Sequence, residues 1–497
     1  MRNFFLILFY FVFIKSYLQS QVTFNKTVDF EHGDETAFSI VPVPNGYIIA
    51  GHGYGYESED FYEVKLKFAN IDTAGNVLWQ KVFVDSGFNL YCEVQSGVYL
   101  SDGSVVFGGH RLTDSTSEII VIKLNPVTGD TIFYKTFSFD DWIYGLQVRQ
   151  LSTGELIMLA FDSNALNGYL LLKMKINGEL IWSKTYGGSS EVSPSDFEID
   201  TDDHIWLINK YLYCSPPGSL IREIDSAGIV LALTFVPDYC LFAGIKTHDG
   251  GFYGPGGYYP IPPYQQFTYR MDSLGNVLWV YESLIDFDTL ASGELYTGTS
   301  KELANGDLIN VGYYGTNTGQ YISIVSKVDL FGNPIWERYY TAVEENYSDR
   351  FTELALTPDN GILIIGAGQP EDIIESQNFW ILKLDSMGCL YPGCDTLGNA
   401  ITSLLPNNQN LQIYPNPIVQ EATVQLQYNP PLEIKDLYFK IMDITGRLVE
   451  SQSVSDVLDN GSTLRFKVRN EKNLLGLYLI SIYSGPTQLG NLEIFFE

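Results

Sequence analysis

Basic residues are scarce in this chain, and their scarcity argues against two classes of partner. Lysine and arginine number 29 against 59 aspartates and glutamates, which gives a formal net charge of −30 at pH 7 over 497 residues. A field of that sign repels the phosphates of nucleic acids and of anionic lipids. We therefore expect no nucleic-acid partner and no electrostatic attachment to a membrane.

Long apolar runs and a helical period are also missing. The one extended apolar run, Phe4 to Ile14, is shorter than the roughly 18 residues that a membrane-spanning helix needs, and no later segment reaches that length. Elsewhere apolar and polar residues alternate in short runs, such as Tyr47 to Gly51, and no 3.6-residue period recurs. The sequence therefore predicts an all-β protein without a transmembrane segment.

The N-terminus is typical of an exported protein. Arg2 precedes the apolar run, and Lys15 and a polar stretch ending in Gln21 follow it. A charged start, a short apolar centre and small residues near the end predict a signal peptide over residues 1–20. An uncleaved membrane anchor is the alternative.

Motifs of known enzymes and cofactor sites are absent from the sequence. It contains no Gly-x-Ser-x-Gly, no His-Glu-x-x-His and no phosphate-binding glycine loop. We therefore predict no catalytic residue and no cofactor. A structural divalent cation would suit two acidic groups, for which solvated turns are the alternative. These groups are Glu198, Asp200, Asp202 and Asp203, and Asp286 with Asp288.

Two turn markers recur through residues 21–394. The first lies at Asn45-Gly46, Asp102-Gly103, Thr153-Gly154, Asp202-Asp203, Asp249-Gly250, Asn305-Gly306 and Asn360-Gly361. The second ends in Gly75, Gly129, Gly178, Gly228, Gly275, Gly332 and Gly388, which are 47 to 57 residues apart. An aromatic strand such as Leu78-Trp79 follows most of the second turns. The chain therefore contains seven similar units.

Four short strands fit each unit, which predicts a seven-bladed β-propeller over residues 21–394. The first marker would join strands A and B of a blade, and the second would join C and D. The seventh unit ends at Gly388 without an aromatic strand, whereas residues 22–28 supply one at the start of the mature chain. We predict that residues 22–30 pair near Phe379 to Leu384 and close the ring, which removes an open edge. A solenoid is the alternative.

The second turn combines an aspartate, a glycine and a tryptophan, as in Asp72, Gly75 and Trp79. It resembles the repeat of the quinoprotein-like propeller family, with one residue fewer between aspartate and glycine. It is also similar to the Asp-box of sialidases, in which that gap is shorter still. These resemblances carry no catalytic residue across. From the residues themselves, we expect the aspartates to accept hydrogen bonds from their own turns and the tryptophans to pack between blades.

Three ordered motifs mark the C-terminus. They comprise Tyr414, Pro415, Asn416 and Pro417, then Asp443, Gly446 and Arg447, and finally Gly476 and Tyr478. Short alternating strands with turns between them predict a small immunoglobulin-like β-sandwich. The two prolines predict that the segment before Glu421 is an extended lead-in to the first strand of this sandwich.

The order and spacing of these motifs resemble the type A C-terminal sorting domain of the type IX secretion system of Bacteroidota. The resemblance covers residues 411–497 and implies that the secretion machinery is a partner. It also implies a secreted or cell-surface protein from which this domain is removed. Residues 395–410, rich in glycine, serine, proline and asparagine, are the predicted linker and cleavage region.

Five cysteines fit an oxidising compartment. Cys389 and Cys394 flank a turn-forming spacer, and Cys214 and Cys240 lie in connections that a propeller would place on one face. We predict a disulfide for each of these two pairs. Cys92 is left over and is expected to be buried.

The longer B–C and D–A connections would share one face of a propeller, and tyrosines are frequent there. These are Tyr54, Tyr56, Tyr211, Tyr213, Tyr258, Tyr259, Tyr264, Tyr313 and Tyr314. His52 and His110 hold equivalent positions in adjacent units, where they would converge near a metal or a sugar or remain two separate surface imidazoles. The tyrosines would contact a glycan or protein ligand, or pack the loops together.

Two functions of different classes follow. The first is a non-catalytic secreted or cell-surface propeller that binds glycan or protein. The second is an exported carbohydrate-active hydrolase or lyase that uses paired carboxylates over the propeller channel. A channel lined by two such carboxylates would favour the second function, and an aromatic rim without them the first.

Overall fold

The computed structural model describes most of the chain from residue 21 onward. The described residues are 21–30, 33–54, 63–113, 115–139, 142–162, 168–187, 196–210, 218–237, 239–241, 244–257, 266–282, 291–316, 321–342, 349–369, 376–390, 411–414, 418–427, 437–443, 448–454, 457–459, 463–470, 472, 474, 476–484 and 487–496. Over these ranges the regular structure is strand alone. None of the described residues forms a helix that could cross a membrane. The predicted signal peptide and linker lie outside these ranges.

The described strands between residues 24 and 384 form seven antiparallel sheets. Strand β1 (Phe24–Val28) precedes sheet 1, which contains β2 (Asp34–Val43), β3 (Gly46–Tyr54), β4 (Val64–Asp72) and β5 (Val77–Phe83). Sheet 2 contains β6 (Asn89–Tyr91), β7 (Gly97–Tyr99), β8 (Val105–Leu112), β9 (Ser117–Leu124) and β10 (Thr131–Ser138). Sheet 3 contains β11 (Ile143–Gln150), β12 (Leu156–Asp162), β13 (Gly168–Met174) and β14 (Leu180–Gly187).

The remaining four sheets of this region follow the same up-and-down order. Sheet 4 contains β15 (Phe197–Ile199), β16 (Ile205–Lys210), β17 (Gly218–Ile224) and β18 (Val230–Pro237). Sheet 5 contains β19 (Cys240–Leu241), β20 (Ile245–Lys246), β21 (Phe252–Gly257), β22 (Gln266–Met271) and β23 (Val277–Glu282). Sheet 6 contains β24 (Ala291–Glu302), β25 (Leu308–Thr316), β26 (Tyr321–Val328) and β27 (Pro334–Tyr340). Sheet 7 contains β28 (Arg350–Leu356), β29 (Ile362–Gly368) and β30 (Asn378–Leu384), and β1 completes it.

Turn aspartates explain why the last two strands of sheets 1, 4, 5 and 6 form hairpins. Asp72 Oδ1 accepts hydrogen bonds from the backbone N–H groups of Ala74 at 2.9 Å and Asn76 at 2.8 Å. Gly75 completes the turn with a φ of 75°, a conformation that glycine adopts at little cost. The same aspartate pattern recurs at Asp225, Asp272, Asp329 and Asp385. The expectation that these aspartates serve their own turns is confirmed.

Strand β1 closes the ring as the sequence predicts. It pairs antiparallel with β30, with Phe24 opposite Lys383 and Val28 opposite Phe379. Side chains reinforce the pairing, because the indole Nε1 of Trp380 donates to Asn25 Oδ1 at 2.5 Å. The first described strand therefore serves as the outer strand of the last sheet.

Seven buried apolar clusters join neighbouring sheets in a cycle. Each described cluster takes its side chains from two consecutive sheets. The seventh joins sheet 7 to sheet 1, with Ile365 and Phe379 packed beside Ile49 and Ile71. Because each sheet buries both faces against its neighbours, the sheets form a propeller-like ring with a core between every adjacent pair.

In sheets 7, 1, 2 and 3, a lysine of the outer strand makes a polar contact with the next sheet of the ring. Lys26 Nζ donates to the carbonyl oxygen of Gly75, Lys135 Nζ to that of Gly178 and Lys184 Nζ to that of Gly228. Lys81 Nζ forms an ion pair with Asp130 at 2.6 Å in the same manner. Sheet 4 differs, because the methyl group of Thr234 lies beside the corresponding Gly275. The outer strand of sheet 4 therefore packs on sheet 5 without such a lysine contact.

Two further sheets enclose one core in the C-terminal region, which is a β-sandwich. Its strands are β31 (Leu411–Tyr414), β32 (Glu421–Gln427), β33 (Leu437–Asp443), β34 (Leu448–Ser453), β35 (Leu458–Asp459), β36 (Thr463–Arg469), β37 (Gly476–Ser484) and β38 (Thr487–Phe496). The sheet orders are β31-β32-β36-β35 and β34-β33-β37-β38. Val424 and Phe466 from one sheet pack against Phe439 and Ile480 from the other.

The start of the sandwich differs from the prediction of an extended lead-in. Residues 411–414 already form a strand, in which Ile413 pairs with Val424, so regular structure begins before the two prolines. The described pairing of this strand runs to Tyr414, and the prolines that follow lack the N–H groups that a ladder needs. Of the predicted motif residues, Tyr414 is exposed, Gly476 has a φ of 97° and Tyr478 packs edge-on against Phe496 at 5.5 Å. Asp443 ends β33, and Pro415, Asn416, Pro417, Gly446 and Arg447 lie outside the described residues.

The described cysteines agree with one of the predictions, because Cys92 is free and buried. Cys389 is also buried. Its predicted partner Cys394 lies outside the described residues, as does Cys214, the predicted partner of Cys240. Both pairings therefore remain predictions.

Candidate functional site

A cavity of about 560 Å³ opens between sheets 7 and 1, at the end of the ring that carries the longer connections. Its lining combines aromatic rings with groups that donate or accept hydrogen bonds. The described lining residues are Asp34, Thr36, His52, Gly53, Tyr54, Val64, Tyr91, Arg350, Gln369, Ser376 and Gln377. Asp34 is the one carboxylate among them.

Sheet 1 supplies one wall of this cavity. His52 and Tyr54 lie at the end of β3, opposite the start of β2, where Thr36 pairs with His52 and Asp34 with Tyr54. Gly53 lies between them, and a Cβ atom there would lie 2.1 Å from the carbonyl oxygen of Asp34. A larger residue at position 53 would therefore push the two strands apart and displace Tyr54.

Sheet 7 supplies the opposite wall, and Gln377 connects the two. Its backbone N–H donates to Asp34 Oδ1 at 3.1 Å, and its carbonyl oxygen accepts from Glu35 N at 2.8 Å. Its side-chain Oε1 accepts from Arg350 Nη2 at 2.9 Å. These bonds hold the cavity walls at a fixed separation, so the site is built by the closure of the ring.

A row of stacked rings extends from the cavity into sheets 2 and 3. Phe38 stacks on His52 at 4.5 Å, and His52 meets Tyr91 edge-on at 5.0 Å. Tyr91 then stacks on His110 at 5.0 Å, and His110 meets Tyr144 at 5.6 Å. Tyr91 therefore lies between the two imidazoles. The described arrangement does not bring them together on one metal or sugar, which was the first alternative for them.

Both imidazoles are neutral at ordinary pH. Some of the His52 ring surface stays accessible, yet its surroundings desolvate it enough to lower its pKa to about 4. Burial lowers the pKa of His110 to about 3. Each Nδ1 accepts a backbone hydrogen bond, from Cys92 N at 3.3 Å and from Gly145 N at 3.1 Å. The row is therefore an uncharged platform that fixes the ring of Tyr91 in the cavity wall.

The structure places two of the predicted tyrosines. Tyr54 lines the cavity with 39% of its surface exposed. Tyr313 packs edge-on against Tyr321 at 5.4 Å, which fits the alternative that tyrosines hold the loops together. Tyr314 lies in β25. Tyr56, Tyr211, Tyr213, Tyr258, Tyr259 and Tyr264 lie outside the described residues.

Several cavity residues were not predicted from the sequence, because they belong to no motif or repeat marker. Tyr91 and Arg350 come from the inner strands of the second and seventh sheets, and Ser376 and Gln377 from a connection without a motif. Ring closure could have found those of the seventh sheet, because it brings the seventh unit beside the first.

A second cluster of polar side chains lies where the inner strands of the sheets meet. Gln95 has a φ of 57°, and its backbone N–H donates to Glu353 Oε2 at 3.0 Å. Its side chain donates to Asp196 Oδ2 at 2.7 Å and accepts from Arg149, which also pairs with Asp196 at 3.1 Å. Glu353 and Asp196 are 5% and 6% exposed, and burial raises the pKa of Glu353 to about 7. These carboxyls are enclosed and bonded within the protein.

The acidic group at Asp200 is hydrogen-bonded within the protein. Its Oδ1 accepts from the N–H groups of Asp202 and His204, and its Oδ2 from Trp206 Nε1 and Lys246 Nζ. Asp203 accepts from Ser152 instead. No three metal-binding side chains converge anywhere in the described part of the chain. Asp286 and Asp288 lie outside it.

The described residues thus define a propeller-like ring of sheets followed by a β-sandwich. Residues 412–490 match the family described as secretion system C-terminal sorting domain. The match confirms the resemblance that the C-terminal motifs carry, and a domain of this family implies export through the type IX secretion system.

Several solved structures resemble this chain at low sequence identity and low TM-score. A polysaccharide lyase, an ulvan lyase, is 10% identical over 73% of this chain and 97% of its own, with a TM-score of 0.46. A protein of unknown function from Bacteroides caccae is 12% identical over 64% and 97%, with a TM-score of 0.35. A neuraminidase-like protein from a little yellow-shouldered bat isolate is 10% identical over 73% and 97%, with a TM-score of 0.39. No curated protein matches the chain. At these identities and TM-scores, the neighbours say nothing of what this chain binds or catalyses.

Proposed function

We propose that this chain is an exported, non-catalytic saccharide-binding protein that acts outside the cell, either secreted or at the cell surface. Residues 21–394 would form a seven-bladed β-propeller and residues 411–497 an immunoglobulin-like sandwich. Residues 1–20 would be a signal peptide and residues 395–410 a linker. The ring would bind its ligand in the cavity between sheets 7 and 1.

The observation that carries this proposal is the composition of the cavity wall. Tyr54 and Tyr91 offer flat apolar faces, on which the C–H groups of a sugar ring pack well. Asp34, Gln369, Gln377 and Arg350 surround them with hydrogen-bonding groups of both kinds. A few convergent polar groups around aromatic surface are typical of small-ligand sites, and a volume of about 560 Å³ accommodates one or two sugar rings.

The arrangement of carboxylates weighs against hydrolysis. General acid and base catalysis on a glycoside requires two carboxyl groups facing the substrate, about 5–10 Å apart. Among the described lining residues, the cavity offers Asp34 alone. Glu353 and Asp196 are close to each other through Gln95, yet protein groups enclose both. An exported hydrolase or lyase acting over the channel remains the second candidate, and it would need these buried carboxyls to open.

A glycan array tests the binding. The mature chain, residues 21–497, is expected to retain a limited set of oligosaccharides, and Tyr54→Ala should weaken that binding about tenfold because one stacking face is lost. Tyr414→Ala is the matched control, since Tyr414 is equally exposed but belongs to the sandwich. The proposal is contradicted if the mature chain retains no glycan, or if both variants lose glycan binding equally. Turnover of a retained glycan would favour the enzyme.

Export is tested separately from binding. In a host that carries the secretion system, the chain without residues 411–497 should accumulate in the periplasm, and an unrelated protein with a signal peptide should be exported once these residues are fused to it. Normal export of the truncated chain would contradict the assignment. Sequencing the exported protein's C-terminus would show whether cleavage falls within residues 395–410.

A further inference from the structure

Arg350 is the one cation among the described residues that line the cavity. It lies at the start of β28, where its guanidinium stacks over the ring of Tyr321 at 5.2 Å and donates from Nη2 to Gln377 Oε1. Stacking and the Nη2 bond together fix the plane of the group. A guanidinium held in one orientation presents its remaining N–H groups as a planar fork.

Two buried polar atoms of cavity-lining residues have no hydrogen-bond partner among the described residues. Arg350 Nε is buried without a hydrogen-bond acceptor, and so is the hydroxyl of Ser376, a residue that is 1% exposed and also lines the cavity. A buried polar group that lacks a partner costs free energy, so sites with such groups are commonly completed by a ligand or an ordered water. Here a guanidinium N–H and a hydroxyl lie in the same wall, and both can donate to one anionic group.

We propose that the ligand is an acidic saccharide, whose carboxylate or sulfate group accepts hydrogen bonds from Arg350 and Ser376. The assignment rests on the proposed saccharide-binding function and names the class of sugar. Bidentate pairing with a guanidinium suits a planar carboxylate and also a sulfate. The uncharged rings of Tyr54 and Tyr91 then face the rest of the sugar, which an acidic peptide would leave without a matching flat surface.

Because the whole chain is strongly negative, binding of an anionic ligand depends on the local positive charge of Arg350. At a net charge of −30, the protein repels an anionic ligand at long range, and only a fixed, partly desolvated cation reverses the potential within the cavity. Salt screens the long-range repulsion more strongly than the short-range pairing. Binding of an acidic saccharide should therefore depend only weakly on salt, although the ligand and the protein have the same sign of charge.

Calorimetric titration with matched oligosaccharides tests the class of ligand. The mature chain is titrated with a neutral oligosaccharide, with its uronate-containing counterpart of the same length and with its sulfated counterpart. At least one acidic form should bind about tenfold or more tightly than the neutral form, since a charge-assisted pair is lost with the neutral sugar. The uronate and sulfate titrations distinguish the two sources of negative charge.

Variants of Arg350 separate its role from folding. Arg350→Gln should abolish the preference for the acidic sugar, and Arg350→Lys should keep part of it, because charge remains without the fork. Arg338→Gln is the matched control: Arg338 also stacks over an aromatic ring, that of Trp336, and also has an unpartnered Nε, but it does not line the cavity. It should keep the full preference, and melting curves check that all three variants are folded.

The outcomes distinguish this inference from the proposed function. If the mature chain binds neutral and acidic sugars equally, or if Arg350→Gln keeps the preference, then the acidic class is wrong while saccharide binding stands. If no saccharide binds, both proposals fail. Tighter binding of an acidic peptide than of any saccharide would also overturn the inference.

Discussion

The backbone N–H of Glu35 donates to the carbonyl oxygen of Gln377 at 2.8 Å, and this bond joins the first sheet of the ring to the last. Residues more than 340 positions apart in the sequence thereby form adjoining parts of one cavity wall. The cavity exists because the ring closes, so stability and binding should respond to the same substitutions at this boundary.

Removal of residues 22–30 should destabilise the whole ring. The deletion uncovers β30 and removes the buried side chains of Phe24 and Val28, and each such side chain is worth about 1.5–3 kcal/mol. Circular-dichroism melts of the mature chain and its deletion variant measure the effect. Phe24→Ala should reproduce about 2–4 kcal/mol of it, whereas Thr27→Ala, at an exposed position on the same strand, should change little. An unchanged melt of the deletion variant would show that β1 does not close the ring.

Closure could be predicted from the sequence because two local patterns agreed. The seventh unit lacks an aromatic outer strand, and residues 22–28 supply one with the same alternation. The turns were predictable for a similar reason, since an aspartate such as Asp72 bonds its own backbone and needs no distant partner. Hydrogen bonds between residues that are close in the sequence can therefore be predicted even when they belong to a large fold.

Loss of a lysine contact between sheets should lower stability by a modest amount. Lys135→Met and Lys184→Met each remove bonds to turn carbonyl oxygens of the next sheet, at a cost of about 1 kcal/mol apiece. The two sites share no partner, so the double variant should show nearly the sum. Lys175→Met is the control, because Lys175 pairs with an exposed glutamate four residues along the chain and should matter little. Denaturant unfolding measures all four variants, and equal effects at positions 135 and 175 would contradict this role.

Stability should fall as pH rises from about 5.5 to 8. Burial raises the pKa of Glu353 to about 7, and that of Glu35, despite its ion pair with Lys67, also to about 7. A carboxyl whose pKa is raised by folding stabilises the protein fully below its unfolded pKa, and the contribution is lost as pH passes through the folded value. Turn aspartates such as Asp272 have lowered pKa values, so their contribution is instead lost in acid.

Glu353→Gln separates these effects. An amide oxygen can still accept from Gln95 N and Ile40 N, while the proton that Glu353 releases on titration is gone. The variant should therefore lose less stability than the parent chain between pH 5.5 and 8, as measured by melts across that range. Glu179→Gln, at an exposed residue, should leave the profile as it is. A parent chain more stable at pH 8 than at pH 5.5 would refute the assignment of raised pKa values.

The candidate site was only partly predictable, for a physical reason. Tyr54 was found because tyrosines are frequent in the long connections, and His52 because it holds the position equivalent to His110 in the next unit. Arg350 and Ser376 were not, because their significance comes from which groups ring closure leaves beside them. The sequence left open whether His52 and His110 converge, and the ring of Tyr91 lies between them, since equivalent positions in adjacent sheets leave room for another ring.

A crystal structure of the mature chain with the tightest saccharide from the array tests the central claim most directly. The sugar should lie between sheets 7 and 1, with a ring against Tyr54 or Tyr91 and its acidic group within hydrogen-bond distance of Arg350. A sugar bound over the central channel, or one that contacts Glu353 and Asp196 instead, would contradict the account.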